Sequence, residues 1–491
     1  MTTRDASPFK TLTFVDLFAG LGGFHRALSA LGAECVMACE IDGELRDTYL
    51  LNFPEMAGRV FSDIRHCKDK VPPHDVLCAG FPCQPFSKSG SQLGTKDETR
   101  GTLFHEVIEI LELRRPEYVI LENVGNFGRH DGGRTWRIVK HNLERLGYEV
   151  NGTEHATPPR SSDWRDLGMP TDERRFTSIL PDLSGRRGCG LLSPHHFGHP
   201  HHRERFFIIA SQSGLQRDPF PTRKRTPTSL LSIEQHDSEL SLLDKQESKL
   251  TAQQVQCINL WGSLVTSIPA TQQFPSAPLW ADEFRLNYPY QPYTPFWTEL
   301  GLLKKSLGRS RQPASRDELL LLLPAYAREQ VPEFRSWKIQ FIERNRTWWK
   351  GVKEYQERGW LEEIEQLPPS LRKLEWNVQD GVRDIWQHVL QFRPSGLRVK
   401  RYSSIPALVA MTTSQIPILG PKRRFLTRVE GLRLQGFPDT HHLPESRTAA
   451  FKALGNGVHV GIVTSVAAKL LAVATSIESS QKSVKEEKEY A

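Results

Sequence analysis

Short apolar runs alternate with stretches of 3.6-residue periodicity over roughly the first 150 residues. Leu12–Phe18 (LTFVDLF) predicts a buried strand that ends in a Gly-rich turn. Phe24–Leu31 follows as a helix, with Phe24, Ala27, Leu28 and Leu31 on one face. Glu34–Ile41 predicts a second strand, Leu45–Leu51 a short helix and Arg59–Phe61 a third, short strand. Asp75–Ala79 (DVLCA) and Tyr118–Glu122 (YVILE) are further buried strands. Between them Leu103–Leu113 reads as a helix with Leu103, Val107, Ile108 and Leu111 turned inward. This alternation predicts an α/β domain, a doubly wound and mostly parallel sheet with helices on both faces.

After Val150 the pattern breaks. Asn151–Gly190 is polar and rich in Pro, Gly and Arg, an excursion, before Arg205–Ala210 (RFFIIA) predicts another strand. From Ser211 to about Ser395 no strand–helix alternation is visible, yet nine of the 11 tryptophans lie there, from Trp261 to Trp386. Such a shift predicts a second, smaller, inserted domain. Within it Trp337, Phe341 and Trp348 at helical spacing predict one buried helix face. Leu426–Leu434 and Thr448–Ala474 read as helices, and Ser479–Ala491 as a charged tail that frays. The expected division is therefore 10–211 and 396–475 for one domain, 212–395 for the insertion and 476–491 for the tail.

Composition narrows this picture. The chain has 491 residues, enough for a sizeable core, with 64 Lys plus Arg against 57 Asp plus Glu, a net of +7. That balance suits an anionic partner without requiring one. Mean hydropathy is −0.46, and no apolar run approaches the ~20 residues that span a bilayer. Met1–Lys10 lacks an apolar signal core. The seven cysteines (Cys35, Cys39, Cys67, Cys78, Cys83, Cys189, Cys257) are odd in number and thinly spread, with no paired zinc spacing. A reduced, cytoplasmic protein with no membrane association is expected.

Several segments carry candidate chemistry. Asp16-Leu-Phe-Ala-Gly20-Leu-Gly22-Gly23-Phe24 lies at a strand-to-helix turn where glycine lets backbone approach a ligand. Glu40 and Asp63 follow the next two strands, so a nucleoside lying across the strand ends would meet all three segments. A turn that merely packs fits the glycines equally well. Their spacing matches neither dinucleotide nor P-loop fingerprints. Cys83, between Pro82 and Pro85, sits on a stiff loop past a strand end, where a thiolate could face a substrate, although an ordinary loop cysteine fits too. Glu122 ends a strand, as a general acid or as a cap on the next turn. Arg203 and Arg205, at i and i+2, would share one strand face to hold an anion or a base edge, or to pair with carboxylates. The histidines beside them (His195, His196, His199, His201, His202) fit no standard zinc spacing, and no metal is expected.

Taken in order, DLFAGLGGF, PCQPFS, ENV, HHRERFF, RLQGFPD and GNGV resemble the signature series of the DNA cytosine-C5 methyltransferases. The resemblance covers about Thr11–Ala210 and Gly396–Leu471. It implies a Rossmann-like S-adenosylmethionine-dependent fold, with Phe18, Gly20, Gly22, Glu40, Asp63 and Asn456 at the cofactor. It implies Cys83 as the nucleophile, Glu122 on the cytosine N3 and amino group, and Arg203 and Arg205 holding the base and the nucleophile's loop. It also makes residues 212–395 the target-recognition domain, in which Arg223 to Arg225, Lys304, Lys305, Arg309 and Arg311 are candidates for DNA contact. Double-stranded DNA, flipping of the base, a monomer and a cognate restriction endonuclease complete the implied picture. A tRNA methyltransferase or a silent DNA-binding regulator are the alternatives. Three departures stand out: His201 where the family has Gln, Gly457 where it has Ser, and Val429 where it has Arg.

Overall fold

The computed structural model describes residues 11–82, 103–151, 190–216, 218–223, 227–307, 315–379, 381–408 and 415–472. Cys83, most of the 151–190 excursion and the charged tail lie outside them. The chain divides into two compact units. One comprises Met1–Gln235, Pro406–Met411 and Arg428–Ala491, the other His236–Ile405 and Thr412–Thr427.

The first unit is built on an eight-stranded sheet. Its strands are β1 (Thr13–Leu17), β2 (Glu34–Cys39), β3 (Val60–Phe61), β4 (Val76–Ala79), β5 (Tyr118–Val124), β6 (Glu149–Val150), β7 (Leu191–Leu192) and β9 (Arg205–Ser211). A separate two-residue strand, β8 (His201–His202), precedes β9. The order is β3-β2-β1-β4-β5-β9-β6, with β7 also on β9. Strands β3 to β5 pair in parallel, and β9 runs antiparallel to β5, β6 and β7. Strands covered on both faces read as unbroken apolar runs; every residue of β4 is buried, as are six of the seven in β5. Helices α1 (Gly23–Ser29), α2 (Gly43–Asn52), α3 (Leu103–Arg114) and α4 (Arg134–Arg145) connect the strands. The predicted alternation is thus present, its ends shifted by a residue or two.

The last described residues of the first unit form helices over 447–456 and 460–472, separated at Gly457–His459. By length and composition the whole stretch Arg447–Ala472 could cross a membrane, but 61% of its most apolar window is buried in the fold. The break leaves two helices, each shorter than the ~20 residues a bilayer requires.

The second unit begins at His236 rather than Gln212 and extends past Ser395. The reason is its six-stranded sheet, which runs Leu279–Trp280, Lys373–Asn377, Gly396–Lys400, Val389–Arg393, Ile418–Leu419, Arg424–Phe425. Gly396–Lys400 is an interior strand of that sheet, so a boundary at Ser395 would cut a hairpin. Tryptophans fill this unit's core. Trp261 and Trp360 meet edge to face at 5.4 Å, and Phe284 stacks on Trp349 at 4.5 Å. The helix Ser336–Val352 corrects the expected stripe: Lys338, Ile342, Asn345, Trp349 and Val352 are buried, while Trp337 is 44% exposed. Polar residues win the inward face because they find partners. Asn345 accepts from Trp280 N at 2.7 Å, and Lys338 donates to the Tyr326 carbonyl at 2.9 Å while pairing with Glu329.

Candidate active site

The strand register assembles the site. Leu17 on β1 is level with Cys39 on β2 and Ala79 on β4; Cys39 is level with Phe61, and Ala79 with Leu121. The next residues along (Phe18, Glu40, Ser62, Gly80 and Glu122) therefore form one row at the C-terminal ends of five parallel strands. The strand order reverses between β1 and β4. In open α/β sheets that reversal opens the crevice in which ligands bind.

At the turn after β1, Phe18, Gly20 and Gly22 all have positive φ (59°, 53° and 76°). The two glycines differ in purpose. Among the described residues, a Cβ on Gly20 would meet only the Phe18 carbonyl oxygen, 4.0 Å away, so this backbone has room beside it. A Cβ on Gly22 would lie 2.3 Å from the Phe53 ring and 3.0 Å from Tyr49. Gly22 therefore serves an aromatic cluster beneath the turn, in which His25 stacks on Phe53 at 3.7 Å and bonds the Tyr49 hydroxyl at 2.7 Å. Burial pushes His25 down to about 3, so its ring is neutral. Sequence reading placed both glycines at the cofactor; their surroundings separate them.

Glu40 is buried, and its carboxylate accepts from Gly20 N and Asp42 N, both at 2.9 Å. Each oxygen keeps a lone pair, so the group can still accept from a diol. Asp63 caps the turn after β3 and pairs with Arg65 at 2.6 Å; that guanidinium holds its carboxyl at about 2. Asn456 is exposed at the end of its helix.

Glu122 is 6% exposed at the end of β5. On β9, Phe207 is level with Glu122 and Arg205 with Val124, so Arg205 lies diagonally across on the same face. Its Nε reaches Glu122 Oε1 at 2.9 Å. Burial raises the Glu122 carboxyl above its ordinary range, opposed in part by Arg205 and Arg203. A carboxyl raised in this way can carry a proton for delivery. A Cβ on Gly80 would sit 3.8 Å from Glu122 Oε2, so the end of β4, which leads to Cys83, lies beside this carboxyl.

Arg203 is 1% exposed. Its backbone N–H donates to Ser193 Oγ at 3.0 Å and its Nη2 to the Gly457 carbonyl at 2.7 Å. Its Nε and Nη1 are buried without a partner among the described residues. His201 Nδ1 donates to the Leu434 carbonyl at 3.1 Å, and Gln435 Nε2 to those of Leu454 and Gly457. The three late motifs are thus tied together around Gly457, whose backbone carbonyl accepts from both Arg203 and Gln435.

Sequence reasoning missed two anchors. Asn123 Nδ2 donates to the Phe81 carbonyl at 2.9 Å and so ties β5 to the chain two residues before Cys83. His441 Nε2 donates to the Leu21 carbonyl at 2.9 Å and braces the Gly-rich turn. Asn123 was visible within ENV; nothing local marks His441, which lies 420 residues from its partner. Among the described residues no group of three or more His, Cys, Asp or Glu could hold a metal.

Near the reversal of the doubly wound sheet the described residues thus gather a buried carboxyl and two arginines, groups able to move a proton or hold an anionic ligand. Comparison with known proteins specifies the class. The profile of the C-5 cytosine-specific DNA methylases matches residues 12–179 and 309–472. Type II methyltransferase M.AluI of Cellulosimicrobium cellulans is 34% identical over 92% of this chain and 90% of its own. Type II methyltransferase M.HhaI of Haemophilus parahaemolyticus is 43% identical over 34% of this chain and 48% of its own. A solved putative DNA modification methyltransferase from an Escherichia coli prophage covers 94% of this chain and 98% of its own, at 16% identity and a TM-score of 0.44. The chain belongs to the C-5 cytosine-specific DNA methylase family and is a DNA (cytosine-5)-methyltransferase.

Proposed function

We propose that this protein methylates C5 of a cytosine flipped out of a specific short sequence in double-stranded DNA, using S-adenosylmethionine, through a covalent bond between Cys83 and C6. The observation that carries the reading is Glu122, buried, raised and held by Arg205 in the row of strand ends that also holds Phe18 and Glu40.

The residues fit the cofactor. The room beside Gly20 admits a close-lying ligand, and Glu40 keeps acceptor capacity for ribose hydroxyls. Phe18 would pack on the same ligand, Asp63 would lie toward the base and Asn456 would close the far side. Gly22 shapes the turn from below. When bound, S-adenosylmethionine supplies a methyl group activated by its sulfonium.

Cytosine C5 is a poor nucleophile while the ring is aromatic. Addition of the Cys83 thiolate at C6 breaks that aromaticity, and the Glu122 proton delivered at N3 neutralises the charge that develops. C5 then carries enamine character, and its bond to the methyl group would form as the donor's methyl–sulfur bond breaks, the donor leaving as a neutral thioether. Loss of the C5 proton to water, return of the N3 proton to Glu122 and expulsion of the thiolate restore the ring and free Cys83. Arg205 fixes the acid, and Arg203, with two unpartnered nitrogens, has donors to spare for the base. Neither face of C6 is accessible in a duplex, so the base must leave the stack, at a cost of a few kcal/mol. The second unit would carry target recognition. A cytoplasmic monomer protecting host DNA from a cognate endonuclease is the biological setting we infer.

Transfer of label from S-adenosylmethionine to duplex DNA and to tRNA tests the substrate. Incorporation into duplex DNA supports the proposal, and incorporation into tRNA alone contradicts it. Cys83→Ala should abolish turnover while retaining DNA binding; methylation at the wild-type rate would rule out the covalent route.

A further inference from the structure

Two cysteines bracket the acidic residues of the candidate cofactor site. Cys39 is the last residue of β2, next to Glu40, and Cys67 follows the turn that Asp63 caps. Their Sγ atoms lie 4.0 Å apart, and both side chains are buried. Glu40 and Asp63 thus fall inside the stretch of chain that this contact closes. Bonded sulfurs lie about 2.0 Å apart, so the pair is about 2 Å short of a disulfide.

The two sides of that gap differ in stiffness. Cys39 belongs to a strand paired on both edges, level with Leu17 of β1 and with Phe61 of β3. Cys67 leaves a single 3₁₀ turn, Ile64–His66, closed by His66 N to the Asp63 carbonyl at 3.0 Å and by Cys67 N to the Ile64 carbonyl at 3.3 Å. Such turns have the poorer hydrogen-bond geometry. Arg65 and His66 on it face solvent, and only Ile64 is buried. The turn is therefore the side that yields when the gap closes. Burial raises both thiols above their ordinary range, so the pair rests protonated. For Cys39 the neighbours Cys67, Glu40 and Asp63 add to that rise. For Cys67 the bond to Cys39 and the Lys70 ammonium oppose burial and Asp63, which makes it the sulfur that ionises first.

We propose that Cys39 and Cys67 form a reversible disulfide that lowers affinity for the methyl donor by drawing the Asp63 turn toward β2. The inference rests on the reading that sets Glu40 and Asp63 at S-adenosylmethionine, and adds a control on that site. The oxidant is a low-molecular-weight disulfide such as oxidised glutathione. Local opening of the turn brings Cys67 to solvent. Its thiolate attacks one sulfur of the oxidant and expels one glutathione thiolate. The Cys39 thiolate then attacks Cys67 Sγ and expels the second, which closes the bond. The cysteines give up two electrons and two protons, and the two released glutathiones take them up. The coupling is reciprocal: a donor that prefers the dithiol form protects it from oxidation by the same factor.

Full-length Cys83→Ala, which lacks the nucleophile's own thiol, is the background for the test. Samples equilibrated across a series of reduced-to-oxidised glutathione ratios are each split. One half is alkylated, digested and read by mass spectrometry for peptides joined through Cys39 and Cys67. The other is titrated with S-adenosylmethionine by calorimetry. The joined pair should appear as the ratio turns oxidising, with donor affinity falling in step by about tenfold or more. Dithiothreitol should restore the affinity. For a tenfold coupling, saturating donor should move the oxidation midpoint about 30 mV toward more oxidising values. Cys67→Ala and Cys39→Ala, each added to that background, should keep the reduced affinity at every ratio; either suffices if the other fails to fold. Absence of the joined pair throughout the series would overturn the inference. So would a joined pair with unchanged donor affinity, or a loss of affinity that persists in the alanine variants. If the reduced protein binds no donor, the functional reading itself fails, a result separate from whether the disulfide forms.

Discussion

Glu122 and the two turn glycines show how much one residue's surroundings decide. The Glu122 carboxyl is raised by burial despite Arg205 and Arg203, so its ionised form burdens the folded state. The stability cost is absent below the unfolded carboxyl's ordinary pKa and grows as pH rises toward the folded value. Glu122→Gln should therefore raise the melting temperature at neutral pH, with the gain vanishing under acid conditions. The same variant should cut methyl transfer by about 10²–10⁴-fold, because an amide cannot deliver the proton. Melting curves and rates across a pH series check both. The glycines give an opposed pair. Gly22→Ala combines positive φ with a collision against Phe53 and should cost about 2–4 kcal/mol in denaturant unfolding. Gly20→Ala has room beside it and should cost about 1–2 kcal/mol, while binding of the methyl donor weakens disproportionately.

Among elements, the parallel strands were legible because burial on both faces leaves continuous apolar runs between turn residues. The site row was legible for the same reason: Phe18, Glu40 and Glu122 are the first residues past such runs. What escaped was whatever depends on partners distant in sequence. The inward stripe of Ser336–Val352 looked like Trp337, Phe341 and Trp348, yet Lys338 and Asn345 lie inside because backbone groups outside the helix bind them, those of Tyr326 and Trp280. The hairpin Val389–Lys400 belongs to the second unit because it pairs there, which apolar patterning does not announce. Glu283 makes the same point. It accepts from the Tyr288 and Tyr326 hydroxyls and pairs with Arg346 at 2.9 Å, joining segments that share no local motif. Glu283→Ala leaves a buried guanidinium without its partner and should destabilise this unit by about 3–5 kcal/mol in chemical unfolding.

For the whole molecule, the net charge of +7 gains meaning only once a polyanionic substrate is in view. Binding to duplex DNA should weaken steeply and log-linearly with salt. The chain divides into two units, leaving the first at Gln235, touching it again over Pro406–Met411 and rejoining it from Arg428. Placing the last motifs after the insertion lets the Gly457 carbonyl meet Arg203 across 254 residues of sequence. The central claim is sequence-specific cytosine methylation through Cys83. Its most direct test is base-resolved sequencing of 5-methylcytosine in DNA from a host lacking other such activity, expressing either this protein or Cys83→Ala. The account predicts 5-methylcytosine at one short recurring sequence with the wild type and none with the variant. Methylation without a recurring sequence, or the same pattern with both proteins, would contradict it.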